Sequence, residues 1–190
     1  LIGGKEDGME TKELENNLRA LDQTVLALGQ TIQNMRNSIS QCYSQADSLE
    51  SRAQMLMSMA ASEEDQSAAA QMYSQASACM NQANAYRMQA ESLQSQIGGM
   101  ISELGGYKSE YQSYMSEGQN NLANLQIAAD QLSNVASARY GATKIKEALA
   151  ATKQRIVYNQ NLVNGCQKRI NWIEQICGSS GDSYTKVRRR

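Results

Sequence analysis

The sequence predicts an all-α protein, an elongated antiparallel helical bundle packed through coiled-coil heptads. Three observations carry that prediction. Proline is absent from all 190 residues, so long helices meet no breaker. Small or apolar residues recur at spacings of three and four along most of the chain, a pattern that keeps one face buried only in a helix of period near 3.5. Phenylalanine is absent and alanine abundant, which suits helices whose backbones approach closely rather than a thick globular core.

Residues 1–8 are glycine-rich and polar and read as a flexible segment, with the bundle spanning 9–177 and a flexible basic tail at 178–190. The first helix is expected from Met9 or Glu10, where Glu10, Glu13 and Glu15 suit the positive end of the helix dipole. Its seam runs without a slip through Leu14, Leu18, Leu21, Val25, Leu28, Ile32, Met35, Ile39, Cys42, Ala46, Leu49, Ala53, Leu56 and Ala60. That stretch is about 70 Å long at 1.5 Å per residue. A turn follows at Ala61–Ser67, with Ser62 expected as the N-cap and Asp65 as the acidic residue behind it.

The second helix carries Ala69, Met72, Ala76, Cys79, Ala83, Tyr86, Ala90, Leu93 and Ile97 on its seam. The pairs Gly98-Gly99 and Gly105-Gly106 then oppose two signals. Four interior glycines cost a helix about 4 kcal/mol relative to alanine, yet Met100, Leu104, Tyr107, Tyr111 and Tyr114 hold the same phase. A break gives four helical segments, of which the last three, 66–97, 107–139 and 142–177, have nearly equal length, as an antiparallel bundle favours. Without one, the chain has three helices with a very long middle one. The seam continues through Gly118 and Leu122, a local 4-4 stutter, to Ala136. After a turn near 139–143, the last helix carries Ile145, Leu149, Thr152, Ile156, Asn159, Val163, Cys166, Ile170, Ile173 and Cys177. Asn159 on that seam either specifies register or marks a helix less buried there.

The cysteines Cys42, Cys79, Cys166 and Cys177 include no Cys-x-x-Cys pair, and no histidine is present. A metal site is therefore not expected. Folding the chain at 64, 102 and 141 puts Cys166 level with Cys42, so a disulfide between them is sterically allowed and would imply an oxidising compartment. Without histidine the common general base and the Ser-His and Cys-His nucleophiles are missing. We expect no enzyme, no cofactor and no small-molecule substrate.

Charge is uneven: residues 141–190 hold 10 basic and 3 acidic side chains, against 8 and 16 in residues 1–140. A basic last helix lying against acidic earlier ones explains this. The alternative is an anionic partner, but Lys186 and Arg188–Arg190 are too few for a nucleic-acid patch, and no apolar run is long enough to span a membrane. Partner candidates lie elsewhere. In the four-segment reading the first helix outreaches its neighbours, leaving Leu14, Leu18, Leu21, Val25 and Leu28 in need of cover. Met55, Met57 and Met59 offer adaptable thioethers near the end of that helix, with Met55 and Met59 flanking the seam and Met57 further off it. Tyr107, Tyr111 and Tyr114 form an aromatic run, either core or a binding patch.

Helical segments of this composition, with Tyr43-Ser-Gln-Ala-Asp47 resembling a Tyr-x-x-x-Asp/Glu secretion signal, are similar to the small helical proteins of type VII secretion, the WXG100 and LXG-associated group. No Trp-x-Gly turn is present, Trp172 being followed by Ile173 and Glu174. The resemblance implies a secreted or cell-surface setting rather than a cytoplasmic one. The expected function is a non-enzymatic interaction protein that docks a helical partner, as a secretion-associated adaptor or the delivery region of a secreted protein. The alternative is a self-assembling structural rod or filament subunit.

Overall fold

The computed structural model describes residues 3–138 and 143–178. Among them are three helices and no strand: α1 (Gly3–Ala61), α2 (Gln66–Ala138) and α3 (Thr143–Gly178). The helix expected from Met9 begins earlier, at Gly3. Residues 139–142 and the tail beyond 178 lie outside the described residues.

The break at the glycine pairs does not form. α2 runs for 73 residues through Gly98-Gly99 and Gly105-Gly106, so the three-helix alternative holds. Seam burial decides the matter. Ile97, Leu104 and Tyr111 are all buried at seven-residue spacing across the gap. Each large apolar side chain is worth about 1.5–3 kcal/mol when buried, so the three outweigh the roughly 4 kcal/mol of glycine cost.

Every predicted seam position with described burial is buried or half-buried. Within the seam one row is deepest. On α1 it is Val25, Ile32, Ile39, Ala46, Ala53 and Ala60, and on α2 it is Ala76, Ala83, Ala90, Ile97, Leu104, Tyr111 and Leu125. Gly118 continues this row between Tyr111 and Leu125, and Tyr114 and Leu122, four residues to either side of it, are half-buried. A Cβ on Gly118 would meet Val163 Cγ2 at 2.9 Å, so glycine here admits α3.

The chain divides into two units, one of Leu1–Ala27 with Glu103–Arg190, the other of Leu28–Ser102. In the first, all three helices contribute, with α2 antiparallel to both neighbours and α3 therefore parallel to α1. Lys108 pairs with Glu174 and Arg169 with Asp22, which sets the register. Leu14, Leu18, Leu21, Val25, Ile170, Ile173 and Ile176 are buried. Leu14, Leu18, Leu21 and Val25 thus find their cover in their own chain rather than in a partner, whereas Leu28, in the other unit, stays half-buried.

The second unit is a two-helix hairpin closed by a short turn. Asp65, not Ser62, caps α2. The Ser67 N–H donates to Asp65 Oδ1 at 2.9 Å, and the Ser62 hydroxyl turns back to the Met59 carbonyl at 3.1 Å. Ala53, Ala76 and Cys79 form a small core on which Leu49, Leu56 and Met80 pack.

Cys42, Cys79 and Cys166 are buried free thiols, so the Cys42–Cys166 bond does not form. Their matching level depends on folding the chain at 102, where no fold occurs.

Candidate functional site

A polar layer crosses the first unit. Asp22 on α1 accepts hydrogen bonds from the Tyr111 hydroxyl on α2 and, at 3.0 Å, from Arg169 Nε on α3. The Arg169 guanidinium also lies 5.4 Å from the Trp172 ring centroid, within cation–π range. The Arg169–Asp22 pair is the contact expected of a basic last helix on an acidic first one. Burial first, and the Asp22 carboxylate second, raise the Tyr111 hydroxyl well above the ordinary phenol range. The same two causes push the Cys166 thiol up to about 11.

Deeper along α3, the Thr152 hydroxyl donates to the Ala148 carbonyl at 2.8 Å and the Asn159 amide to the Arg155 carbonyl at 2.9 Å. Both side chains are buried, Asn159 completely, so the reading of a less buried last helix fails here. Asn159 Oδ1 is buried without a hydrogen-bond partner. Burial, then the nearby Glu15 carboxylate, raise Tyr158 to about 12.

This layer is poorly arranged for chemistry. A thiol pushed up is the reverse of an activated nucleophile, and a phenol raised this far is a weak acid near neutral pH. What the layer does supply is register. One carboxylate receives donors from two other helices, so a slip of either helix strands a charge at the bundle surface or within it.

The candidate partner residues scatter between the units. Tyr111 belongs to the core, whereas Tyr107 and Tyr114 are half-buried beside it. Met55, Met57 and Met59 are exposed. Their order corrects the expectation, since Met55 is the most exposed at 58% and Met57 the least at 39%. Helix geometry explains this: Met57 sits four residues after buried Ala53 and three before buried Ala60, whereas Met55 is a further step around the helix. Tyr43 is half-buried and Asp47 exposed, one turn apart on α1.

The hairpin unit carries the feature that singles out a site. Its deepest row is mostly alanine; leucines dominate one side of that row, while Tyr43, Met57, Tyr73, Met80 and Ile101 share the other side with the charged residues. Successive helical residues lie 100° apart, so Leu49 and Glu50 straddle the row on opposite sides. Glu50 pairs with Arg87 of α2 on one flank. On the other, Leu49 and Tyr86 line a shallow groove with Gln45, Gln82, Ala85 and Gln89. At seven-residue spacing this second flank comprises Leu28, Met35, Cys42, Leu49 and Leu56 on α1 and Met72, Cys79, Tyr86, Leu93 and Met100 on α2. Except for the buried cysteines, all are half-buried.

Charge is sorted in the same way. Arg36, Asp47, Glu50, Arg87 and Glu91 fall on the Glu50 flank, and the leucine flank holds only Arg52. Its rim on α2 is Gln75, Gln82, Gln89 and Gln96, one glutamine every seventh residue, all exposed. The glutamine heptad was readable from the start, but it emerges as a rim only once the alanine row is known to be deepest.

No cluster of three or more metal-ligating acidic or cysteine side chains occurs among the described residues. No described helix is long and apolar enough to cross a membrane. No protein-family model, curated protein or solved structure matches the chain.

Proposed function

We propose that the chain is a non-enzymatic interaction protein whose hairpin unit docks an amphipathic helix on its leucine flank. One observation carries this reading. Small residues occupy the deepest row while Leu49, Leu56, Met72, Tyr86 and Leu93 stand half-covered on one side. An ordinary two-stranded coil directs its large side chains into the seam and solvates its flanks with charge. Here the flank is apolar and its rim carries a single charge, Arg52, as befits a surface meant to be covered. Met59, near the turn, extends the rim of the same side with an adaptable thioether. Such a module suits an adaptor or the delivery region of a secreted protein.

The test is a fluorescence titration of the full chain with a synthetic helical peptide bearing leucine at its seam positions and glutamine elsewhere. The protein is kept dilute. Saturable binding is expected, and Ala85→Glu, at an exposed position in the groove, is expected to abolish it. Absence of binding, or binding that ignores Ala85→Glu, overturns the reading.

A further inference from the structure

We infer that the helix docked on the leucine flank is supplied by a second copy of this chain, two hairpin units packing face to face as a four-helix bundle. The inference rests on the docking flank described above and adds the identity of its occupant.

Three properties of the flank favour its own copy. The first is charge. Apart from Arg52, the flank carries none, so two copies meet without like-charge repulsion, and no oppositely charged partner is selected. The second is hydrogen bonding. A carboxamide both donates and accepts, so the rims of Gln82 and Gln89 are complementary to themselves, as an isologous two-fold interface requires. The third is direction. The flank presents one helix running each way, so either two-fold axis lying in its plane gives every helix an antiparallel neighbour. Size is also sufficient. Leu28 to Leu56 spans about 42 Å and two adjacent helices about 20 Å, giving roughly 800 Å² per copy, the area of a standard stable interface. Ala68, Ala78 and Ala85 beside the apolar row leave room for a neighbouring backbone.

Sedimentation equilibrium on the full chain tests this. The expected result is a concentration-dependent species of twice the 20.9 kDa chain mass. Gln82→Glu/Gln89→Glu puts two carboxylates per copy in the interface, more than the single Arg52 of each copy balances, and is expected to weaken association about a hundred-fold. Ser51→Glu/Ser95→Glu, at exposed positions away from the flank, is expected to leave it unchanged. Circular dichroism on each variant should show equal helicity, since all four positions are exposed. A chain monomeric at every concentration overturns the inference, as does a dimer indifferent to the glutamine substitutions. A monomer that still binds the leucine–glutamine peptide rejects only the second copy as occupant. One that neither dimerises nor binds rejects the docking flank as well.

Discussion

Asn159 shows how a single buried side chain trades stability for order. Its Nδ2 is bonded within α3, but its Oδ1 has lost water and gained no partner. Leaving such a group unsatisfied costs about 1–3 kcal/mol. Replacing Asn159 with leucine is therefore expected to stabilise the fold by about that amount in urea unfolding. A loss of stability would show that the amide is satisfied. The opposite holds at Tyr111, whose hydroxyl donates to a carboxylate. Tyr111→Phe is expected to cost about 1–2 kcal/mol, and a neutral result would remove the polar layer from the register argument. The same cluster sets an alkaline limit. Burial raises Cys166 from 9.0 to about 11 and Tyr158 from 10.0 to about 12. A group with its folded pKa raised stabilises fully below its unfolded pKa and loses that contribution as pH climbs through the folded one. The thermal midpoint is expected to begin falling above about pH 9 and to continue falling to about pH 12, with Cys166→Ala flattening the early part. A midpoint that rises over this window contradicts the assignment.

At the scale of elements, the seams were legible and the helix count was not. Hydrophobic spacing placed the seam residues of all three helices, because burial follows period wherever one face is covered. Propensity misled at Gly98–Gly106, since four glycines are weighed locally while Ile97, Leu104 and Tyr111 are buried by residues distant in sequence. None of these four glycines has an atom within 4 Å of where a Cβ would stand, so none serves packing. Alanine at each is expected to stabilise α2 by up to about 1 kcal/mol. Gly118 behaves otherwise. Its Cβ would meet the Val163 methyl at 2.9 Å, and valine has little rotameric freedom in a helix. Gly118→Ala is expected to destabilise by about 1–3 kcal/mol, with Val163→Ala restoring much of the loss. Equal effects at Gly99 and Gly118 in thermal melts would refute the distinction.

For the molecule as a whole, the docking flank was half legible. The methionines near the turn and the glutamine heptad were visible in the sequence, but which side of the seam each occupied depended on alanine, not leucine, filling the deepest row. Leu14, Leu18 and Leu21 pointed to a missing partner only because α3 could not be placed from local signals, and their cover proved to be internal. The methionines also supply the most direct measurement of the docking claim, namely peroxide oxidation of the full chain, site by site, with and without the leucine–glutamine peptide. Met72 and Met100 lie on the leucine flank, whereas Met88 points away from it and is 70% exposed. Docking on the flank predicts that the peptide slows oxidation of Met72 and Met100 and leaves Met88 unchanged. Equal rates with and without peptide, or protection of Met88 to the same degree, would contradict it.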